Sequence, residues 1–201
     1  AEFETRVRRL LGPEARIVEA IGDHVEVEGV YEFADPAEAT FLPEADRTAI
    51  RDGCYHARGL LGRFRTKARF AGEVEVELAF RFGSGPNLSV GLAWFFDPGT
   101  ASFYSAAAVG RNAALNGITP RGLLLRYKAG RDAKAAEELG GSPLAFPVEP
   151  DRDYVLTATA RASGHRVRLK GKVVDEKLEA RDARGSNGSV AVVWGALEDA
   201  S

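Results

Sequence analysis

Sulfur-containing residues are nearly absent from this chain. Its 201 residues include one cysteine, Cys54, and no methionine. A single cysteine excludes an internal disulfide and a zinc site built from cysteines. We interpret Cys54 as a small packing residue; the alternative is a thiol nucleophile with His56, two residues further along the same strand face. The lack of methionine even at residue 1 favours a segment of a longer chain, or a mature chain that has lost a signal peptide.

A strong net charge and long apolar runs are also missing. Lys and Arg number 27 and Asp and Glu number 29, which gives a net charge of −2. This balance does not favour nucleic acid or an anionic membrane as a partner. No apolar run approaches the roughly 20 residues that a membrane span requires. A chain of this length can enclose one sizeable core, so we expect a single domain over residues 1–201.

The common catalytic and nucleotide-binding motifs are absent as well. The three histidines, His24, His56 and His165, are far apart and show no metal-ligand spacing. No GxSxG, Walker or dinucleotide-binding motif occurs. Three glutamates between residues 73 and 77 share a strand face, but they lack the Glu-x-Asp-x-x-Glu pattern of glucanases. These absences favour a non-catalytic protein over an enzyme.

Alternation of apolar and polar residues is what the sequence has in abundance. Every second side chain is apolar from Val74 to Phe82, and again from Leu88 to Phe96. A period of two is the signature of a strand with one buried face. Gly, Pro and Asn within residues 83–87 supply turn chemistry, so we predict a long β-hairpin over residues 73–97. In this register Trp94 and Phe96 face the core, whereas Phe95 points outward.

Similar strands joined by Gly, Pro and Asn turns continue to the end of the chain. Helix is minor. Residues 1–12 are expected to form a short helix or arm, and residues 133–139 have high helix propensity and end at Gly140. Short turns without helical crossovers indicate antiparallel sheets. The predicted fold class is all-β, a two-sheet antiparallel jelly-roll sandwich with one or two short helices.

The order of these segments resembles the concanavalin A-like (laminin-G-like) jelly roll, and within it the bacterial branch with the 3-keto-disaccharide hydrolase-type domain. That branch shows an E-h-x-h-x-F-R-F strand, a Gly-x-Asn turn and a G-h-h-h-F strand. Residues 75–82, 85–87 and 91–96 match these motifs. The later matches, in the family's order, are Tyr104, residues 123–127, residues 154–160, Gly164, Gly171 and residues 188–193.

The resemblance has two departures. Ala191 stands where the family's closing strand has a second glycine, and the family's final strand after that segment is missing here. The resemblance implies a two-sheet sandwich in a bacterial protein. It also implies either glycan binding or glycan hydrolysis, the latter with carboxylates and histidine as acid and base groups.

A candidate ligand groove follows from the predicted register. Phe95 would lie outward beside the small residues Ser89, Gly91 and Ala93, which would form the floor. A sugar ring needs an aromatic surface for its C–H face and polar groups for its hydroxyls. The candidate ligand-binding residues are Phe95, Tyr104, Asn87, Asn112, Asn116, Arg126 and Lys128. In the alternative interpretation a loop covers Phe95 and Tyr104 and the groove is closed.

Three aspartates are candidate metal ligands. Asp97, Asp151 and Asp153 lie near predicted strand ends, where jelly-roll lectins often hold calcium. Calcium is therefore the one cofactor that the sequence suggests. The alternative is that these are ordinary surface carboxylates.

Three functional hypotheses remain open at this point. The leading one is a non-catalytic, extracytoplasmic (periplasmic or secreted) module that binds carbohydrate or another ligand on its concave sheet. The second is a glycan-processing hydrolase of the 3-keto-disaccharide hydrolase type. The third is a structural or partner-binding domain of a larger surface or signalling protein. A cleft holding two ionisable side chains about 5–10 Å apart would favour hydrolysis over binding.

Overall fold

The computed structural model describes residues 2–11, 15–21, 24–29, 41–43, 48–51, 54–57, 61–81, 88–109, 122–131, 136–142, 149–172 and 174–196. The first part of the chain contains α1 (Glu2–Leu11), β1 (Arg16–Ile21), β2 (His24–Glu28), β3 (Phe41–Pro43), β4 (Thr48–Arg51), β5 (Cys54–Ala57), β6 (Leu61–Thr66) and β7 (Phe70–Ala71). The second part contains β8 (Val74–Arg81), β9 (Leu88–Asp97), β10 (Ser102–Val109), β11 (Leu123–Ala129), β12 (Glu137–Gly141), β13 (Asp153–Arg161), β14 (Gly164–Gly171), β15 (Asp175–Ala180) and β16 (Asn187–Ala196).

Most of these strands form two antiparallel sheets. The larger sheet has the order β12-β11-β10-β9-β16-β6-β3, with β7 paired to β16. The smaller sheet has the order β15-β14-β13-β8. β1 pairs with β2 and β4 pairs with β5 in two further two-stranded sheets. This arrangement confirms the predicted all-β sandwich of two antiparallel sheets.

The core lies between the inner faces of the two sheets. Leu92 and Trp94 project into it from the larger sheet, and Leu156 and Val167 project from the smaller one. None of these four side chains is more than 1% exposed. Burial alternates along β13 and β14, as expected for strands with one face in an apolar interior and one in water.

The predicted helix at the amino terminus spans Glu2–Leu11. Glu2 and Glu4 lie in the first turn and Arg8 and Arg9 in the last, which suits the helix dipole. Val7 is buried, whereas Phe3 remains 51% exposed. No helix among the described residues is long and apolar enough to cross a membrane.

The prediction of a hairpin over residues 73–97 is wrong in its pairing, although both of its strands exist. β8 pairs with β13 in the smaller sheet, whereas β9 lies between β10 and β16 in the larger sheet. Alternation reports that a strand has one buried face, but it carries no information on the partner strand.

The predicted helix over residues 133–139 is also wrong where the structure describes it. Residues 132–135 lie outside the described residues, and Glu137–Gly141 forms the edge strand β12. β12 pairs with β11, and Leu139 packs against the core. Backbone pairing and apolar burial here outweigh helix propensity, which differs between ordinary residues by less than about 1 kcal/mol.

A β-bulge at Phe95 interrupts the regular alternation of β9. Ala93 lies opposite Ala191 of β16, but Phe96 lies opposite Ser189, so two residues of β9 face one residue of its neighbour. The register on β10 shifts at the same place. Phe95 has a φ of 52°, a left-handed conformation that accommodates an extra residue.

The bulge places Phe95 on the core side together with Trp94. Phe95 is only 5% exposed and belongs to the core cluster, so the prediction that it points outward is wrong. Phe96 takes the opposite face of the larger sheet instead, where it is only 3% exposed and the Arg63 guanidinium lies 4.6 Å from its ring centroid. One inserted residue reverses every subsequent side chain, because the side-chain period of a strand is two.

Gly188 of β16 lies directly against the bulge. An added Cβ there would be 2.3 Å from the Phe95 carbonyl carbon and 2.6 Å from the Phe96 nitrogen. Backbone atoms cannot move aside as a flexible side chain can. Glycine at this position is therefore a requirement of the bulge.

Replacing Gly188 with alanine should lower the free energy of unfolding by about 1–3 kcal/mol, the usual cost of forcing extra volume into a packed site. Urea denaturation followed by circular dichroism measures this change. The matched control is Gly140→Ala, because an added Cβ at Gly140 meets nothing within 4 Å. That control should stay within about 0.5 kcal/mol of the wild type. Equal stabilities of the two variants would contradict the steric account.

Candidate functional site

An open cavity of about 190 Å³ lies beside the turn that joins β9 to β10. The segment between β15 and β16 forms its opposite wall. The residues that line the cavity are Phe95, Asp97, Thr100, Ser102, Phe103, Tyr104, Tyr127, Arg184, Gly185 and Asn187. The cavity therefore combines aromatic rings with a carboxylate, hydroxyls, a guanidinium and an amide.

The first wall is built on the β9–β10 turn. The Gly99 N–H donates to Asp97 Oδ1 at 3.0 Å, and the Thr100 hydroxyl donates to Asp97 Oδ2 at 3.2 Å. Arg69 joins this wall to the start of β16. Its Nη2 donates to Asn187 Oδ1 at 2.8 Å, and its Nη1 lies 3.8 Å from Asp97 Oδ1. Asp97 and Asn187 are thus held in fixed positions at the cavity.

Arg184 forms the second wall. Its guanidinium lies 4.1 Å from the ring centroid of Tyr127 and pairs with the carboxylates of Asp182 and Glu137. Hydrogen bonds to Asp182 and Glu137 raise the pKa of Arg184 above its ordinary value. The side chain is 41% exposed, so part of its donor set faces the solvent. Arg184 is therefore a fixed cation that stacks on an aromatic ring beside the cavity.

The base of the cavity is the buried side chain of Tyr104. Its hydroxyl donates to Asp182 Oδ1 at 2.6 Å and accepts the Gly185 N–H at 3.2 Å. Burial, reinforced by the hydrogen bond to Asp182, raises the pKa of Tyr104 to about 12. The hydrogen bond from Arg184, with that from Tyr104, holds the pKa of Asp182 well below its usual range even though burial opposes this shift.

His165 lies behind Tyr104 in the core. Their ring centroids are 4.0 Å apart, and the Trp94 indole N–H donates to His165 Nδ1 at 3.2 Å. Because Nδ1 accepts this hydrogen bond, the neutral imidazole carries its proton on Nε2. Burial lowers the pKa of His165, and the charge of Asp182 partly opposes the shift. A neutral histidine thus supports the tyrosine at the cavity base.

The structure brings together three of the residues singled out in the sequence. Phe95, Tyr104 and Asp97 all line the cavity. Tyr104 is fully buried, however, so it lies at the base of the cavity and not on an open surface. The physical reason is that Tyr104 faces the core side of β10, opposite Trp94 of β9.

The other predicted ligand residues lie elsewhere. Arg126 and Lys128 alternate along β11 with the core-facing Leu125 and Tyr127, so they lie on the opposite face of the larger sheet. Asn87, Asn112 and Asn116 lie outside the described residues.

The three aspartates proposed as calcium ligands do not form a cluster. Asp97 is hydrogen-bonded within its own turn, and Asp153 pairs with Arg81 at 2.7 Å. Among the residues that the structure describes, no group of three or more His, Cys, Asp or Glu is close enough to share a metal ion. The Asp97 carboxylate instead interacts with Arg69 and the Gly99 N–H, and the Asp153 carboxylate interacts with Arg81.

Five of the residues on which the site depends were missed in the sequence: Phe103, Tyr127, Asp182, Arg184 and Asn187. Three of them belong to the segment around residues 182–187, whose composition indicates only a turn. Asp182 is 78 residues away from its partner Tyr104. Arg184 is 47 residues away from its partner Glu137. The available signal was an Asp-x-Arg pattern immediately before a strand, which is too common to identify a site.

Tyr104 and Asp182 should be energetically coupled. Tyr104→Phe removes a buried hydroxyl that both donates and accepts, so we expect a loss of about 1–3 kcal/mol in the free energy of unfolding. A double-mutant cycle with Asp182→Asn isolates the pair, and the coupling energy should be at least about 0.5 kcal/mol. Urea denaturation of the four proteins measures it. Additive losses would show that the hydroxyl and the carboxylate act independently.

Asp182 should also make the stability depend on pH on the acid side. Its folded pKa is depressed, so its contribution is present above the unfolded value of about 3.9 and is lost as the pH falls towards the folded value. The unfolding free energy of the wild type should therefore decrease below about pH 4 more steeply than that of Asp182→Asn. Asp151→Asn, which changes an exposed aspartate, should retain the wild-type profile. Identical acid profiles for all three proteins would contradict this assignment.

Comparison with known proteins agrees with the fold. No protein-family model and no curated protein matches this sequence. Carbohydrate binding module CBM66 from Bacillus subtilis is similar in structure, with 14% identity, a TM-score of 0.58, and coverage of 78% of this chain and 89% of that one. A protein of unknown function with a galectin-like fold, also from B. subtilis, has 12% identity and a TM-score of 0.58 over 83% and 88% of the two chains.

A third similar structure is the beta-glucanase of Bacillus licheniformis, with 8% identity, a TM-score of 0.50 and coverage of 83% of each chain. At these identities the similarity concerns the fold alone. The chain therefore has the jelly-roll sandwich fold that these galectin-like and concanavalin A-like structures share.

Proposed function

We propose that this protein is a non-catalytic carbohydrate-binding module that holds a sugar unit in the cavity beside the β9–β10 turn. The observation that carries the proposal is the composition of that cavity. Half-buried rings of Phe103 and Tyr127 lie together with the polar side chains of Asp97, Arg184 and Asn187. Ligand sites typically combine apolar surface with a few convergent polar groups, which is the pattern found here.

Each part of the lining suits one part of a sugar. An aromatic ring offers an apolar surface to the C–H face of a pyranose or furanose. The Asp97 carboxylate accepts hydrogen bonds from hydroxyls, the Arg184 guanidinium donates them, and the Asn187 amide can do both. Hydroxyl groups of a sugar both donate and accept, so this mixed set matches them better than it would match an apolar ligand.

The polar groups are held in place before any ligand arrives. Arg184 is fixed by two carboxylates and by the Tyr127 ring, and Asp97 is fixed by its own turn. A preorganised site loses less conformational entropy on binding. At about 190 Å³, the cavity is smaller than the roughly 300–1,000 Å³ typical of drug-sized ligands, which favours one sugar unit or a chain end.

The alternative of a 3-keto-disaccharide hydrolase-type enzyme has less support. Glycoside hydrolysis generally uses two carboxyl groups about 5–10 Å apart across the scissile bond. Within the described lining of the cavity, Asp97 is the one carboxylate. The proposal of binding without hydrolysis follows from this difference. The shared fold with a carbohydrate binding module of B. subtilis is consistent with it.

Location outside the cytoplasm and attachment to further domains belong to the same proposal. A module that binds a sugar unit at a chain end is useful where polymeric glycans occur, which is mainly outside the cell. A purely structural or partner-binding role would leave the cavity without a ligand. Sugar binding is therefore the property that separates these hypotheses.

Asp97→Asn should weaken sugar binding about ten- to hundredfold, because it replaces an ionised hydrogen-bond acceptor by a neutral amide. A glycan array identifies the sugar, and calorimetry with that sugar measures the affinity. The matched control is Asp151→Asn, the same substitution at an exposed aspartate outside the cavity lining. It should bind as the wild type does. An array with no bound glycan, or equal affinities of the two variants, would remove the cavity from consideration as a sugar site.

A further inference from the structure

A guanidinium that is not part of the cavity lining connects two of the side chains that are. Nη2 of Arg69 donates to Asn187 Oδ1 at 2.8 Å, and Nη1 of Arg69 lies 3.8 Å from Asp97 Oδ1. Asp97 is the last residue of β9 and Asn187 is the first residue of β16, and these two strands are paired antiparallel. One planar guanidinium therefore ties together two polar side chains at adjoining strand ends.

The backbone that carries Arg69 is anchored along the start of β16. The Thr66 hydroxyl donates to the Ala68 carbonyl at 2.9 Å and accepts the Val190 N–H at 3.2 Å. β7 begins directly after Arg69 and pairs with residues 187–188. Arg69 thus approaches the cavity from a backbone position that is fixed on both of its sides.

The contact with Arg69 decides which end of the Asn187 amide the cavity receives. A guanidinium carries only donors, so its partner must be the amide oxygen and not the amide nitrogen. The nitrogen points away from Arg69, and within the described part of the chain it donates to no acceptor. Asn187 lines the cavity and Arg69 does not. The group that Asn187 offers to a ligand is therefore its N–H donor pair.

Asp97 offers the complementary group, an acceptor. Its Oδ1 accepts the Gly99 N–H, and its Oδ2 accepts the Thr100 hydroxyl. A carboxylate has about four lone-pair sites, so these contacts leave acceptor capacity unused. The Asp97 side chain is 37% exposed, which makes that capacity accessible. The cavity thus holds an acceptor and a donor that are positioned by the same guanidinium.

We propose that the sugar held in the cavity carries an acetamido group between Asp97 and Asn187, and that Arg69 is the positioning residue for this recognition. This inference rests on the sugar-binding function proposed above. A secondary amide is planar and trans, so its N–H and its C=O point in opposite directions. The N–H donates to the Asp97 carboxylate, and the C=O accepts from the Asn187 amide. The acetyl methyl group adds apolar surface for the half-buried rings of Phe103 and Tyr127.

Other substituents of a sugar ring satisfy only part of this arrangement. The ammonium group of an amino sugar donates to Asp97 but has no acceptor for the Asn187 amide. The carboxylate of a uronic acid accepts from Asn187 but places a second negative charge beside Asp97. Arg69 and Arg184 are both already paired with carboxylates, so they attract an anionic sugar only weakly. An acetamido group is neutral and supplies one donor and one acceptor together.

The first test changes one substituent of the sugar. Ligand-observed NMR titration compares N-acetylglucosamine with glucose and glucosamine, and N-acetylgalactosamine with galactose and galactosamine. We expect the wild type to bind the N-acetyl sugar of at least one series about tenfold or more tightly than its parent hexose and its amino sugar, the ratio that a well-formed hydrogen bond to a charged group provides.

The second test measures the same ratio in variants. Asn187→Asp keeps an acceptor for Arg69 but loses the donor, and Arg69→Met removes the guanidinium that orients the amide. Each should reduce the preference for the N-acetyl sugar to below about threefold. General damage to the fold weakens both sugars alike and leaves their ratio unchanged, so the ratio reports positioning. The control Lys170→Ala, which alters the net charge by the same amount at an exposed residue of β14, should keep the wild-type ratio.

Three results would overturn this inference. The first is equal affinity of the wild type for each N-acetyl sugar and its parent hexose, and the second is an unchanged preference in either variant. The third is binding of N-acetylglycinamide as tightly as the N-acetyl sugar, which would assign the cavity to a peptide amide. Hexose binding that Asp97→Asn weakens, without any N-acetyl preference, would leave the sugar site in place and remove only the acetamido group. Binding of no sugar at all would contradict both proposals.

Discussion

Two residues of β9 face one residue of β16 at Phe95, and the positions of the core aromatics depend on this bulge. It turns Phe95 inward, where its ring centroid lies 6.5 Å from those of Tyr104 and His165. It also turns Phe96 to the opposite face of the larger sheet, where the ring is buried beside the guanidinium of Arg63. The same local change therefore places one ring at the cavity and the next ring on the opposite face of the larger sheet. It is possible because Gly188 leaves no side chain against the bulged backbone.

A hydrogen-bonded network at the edge of the core holds the cavity in shape. Tyr104, Asp182 and Arg184 form a connected set of hydrogen bonds, which gives the buried Tyr104 hydroxyl a partner. Such a network is stabilising only when it is complete, because a partly paired buried charge is costly. The segment between β15 and β16 is thereby tied to β10. A rigid scaffold of this kind suits a binding site better than a mobile one.

Sequence patterns predicted the strands well and their partners poorly. The alternation in β8 and β9 correctly indicated two strands, each with a buried face, but it led to a hairpin that does not exist. Strand pairing depends on contacts between residues far apart in the chain, which no local pattern records. Residues 137–139 show the opposite conflict, since a helix-forming sequence became an edge strand once β11 offered it backbone partners.

The amino-acid sequence by itself determined the fold class, because repeated period-two alternation with turn residues between the segments permits few structures other than a two-layer sandwich. It also identified Phe95, Tyr104 and Asp97 as residues of interest. Only the tertiary structure decided which way Phe95 points and which residues join it. The reason is physical: a bulge adds one residue without disturbing the pattern of residue types, and the partners of Tyr104 lie about eighty residues away.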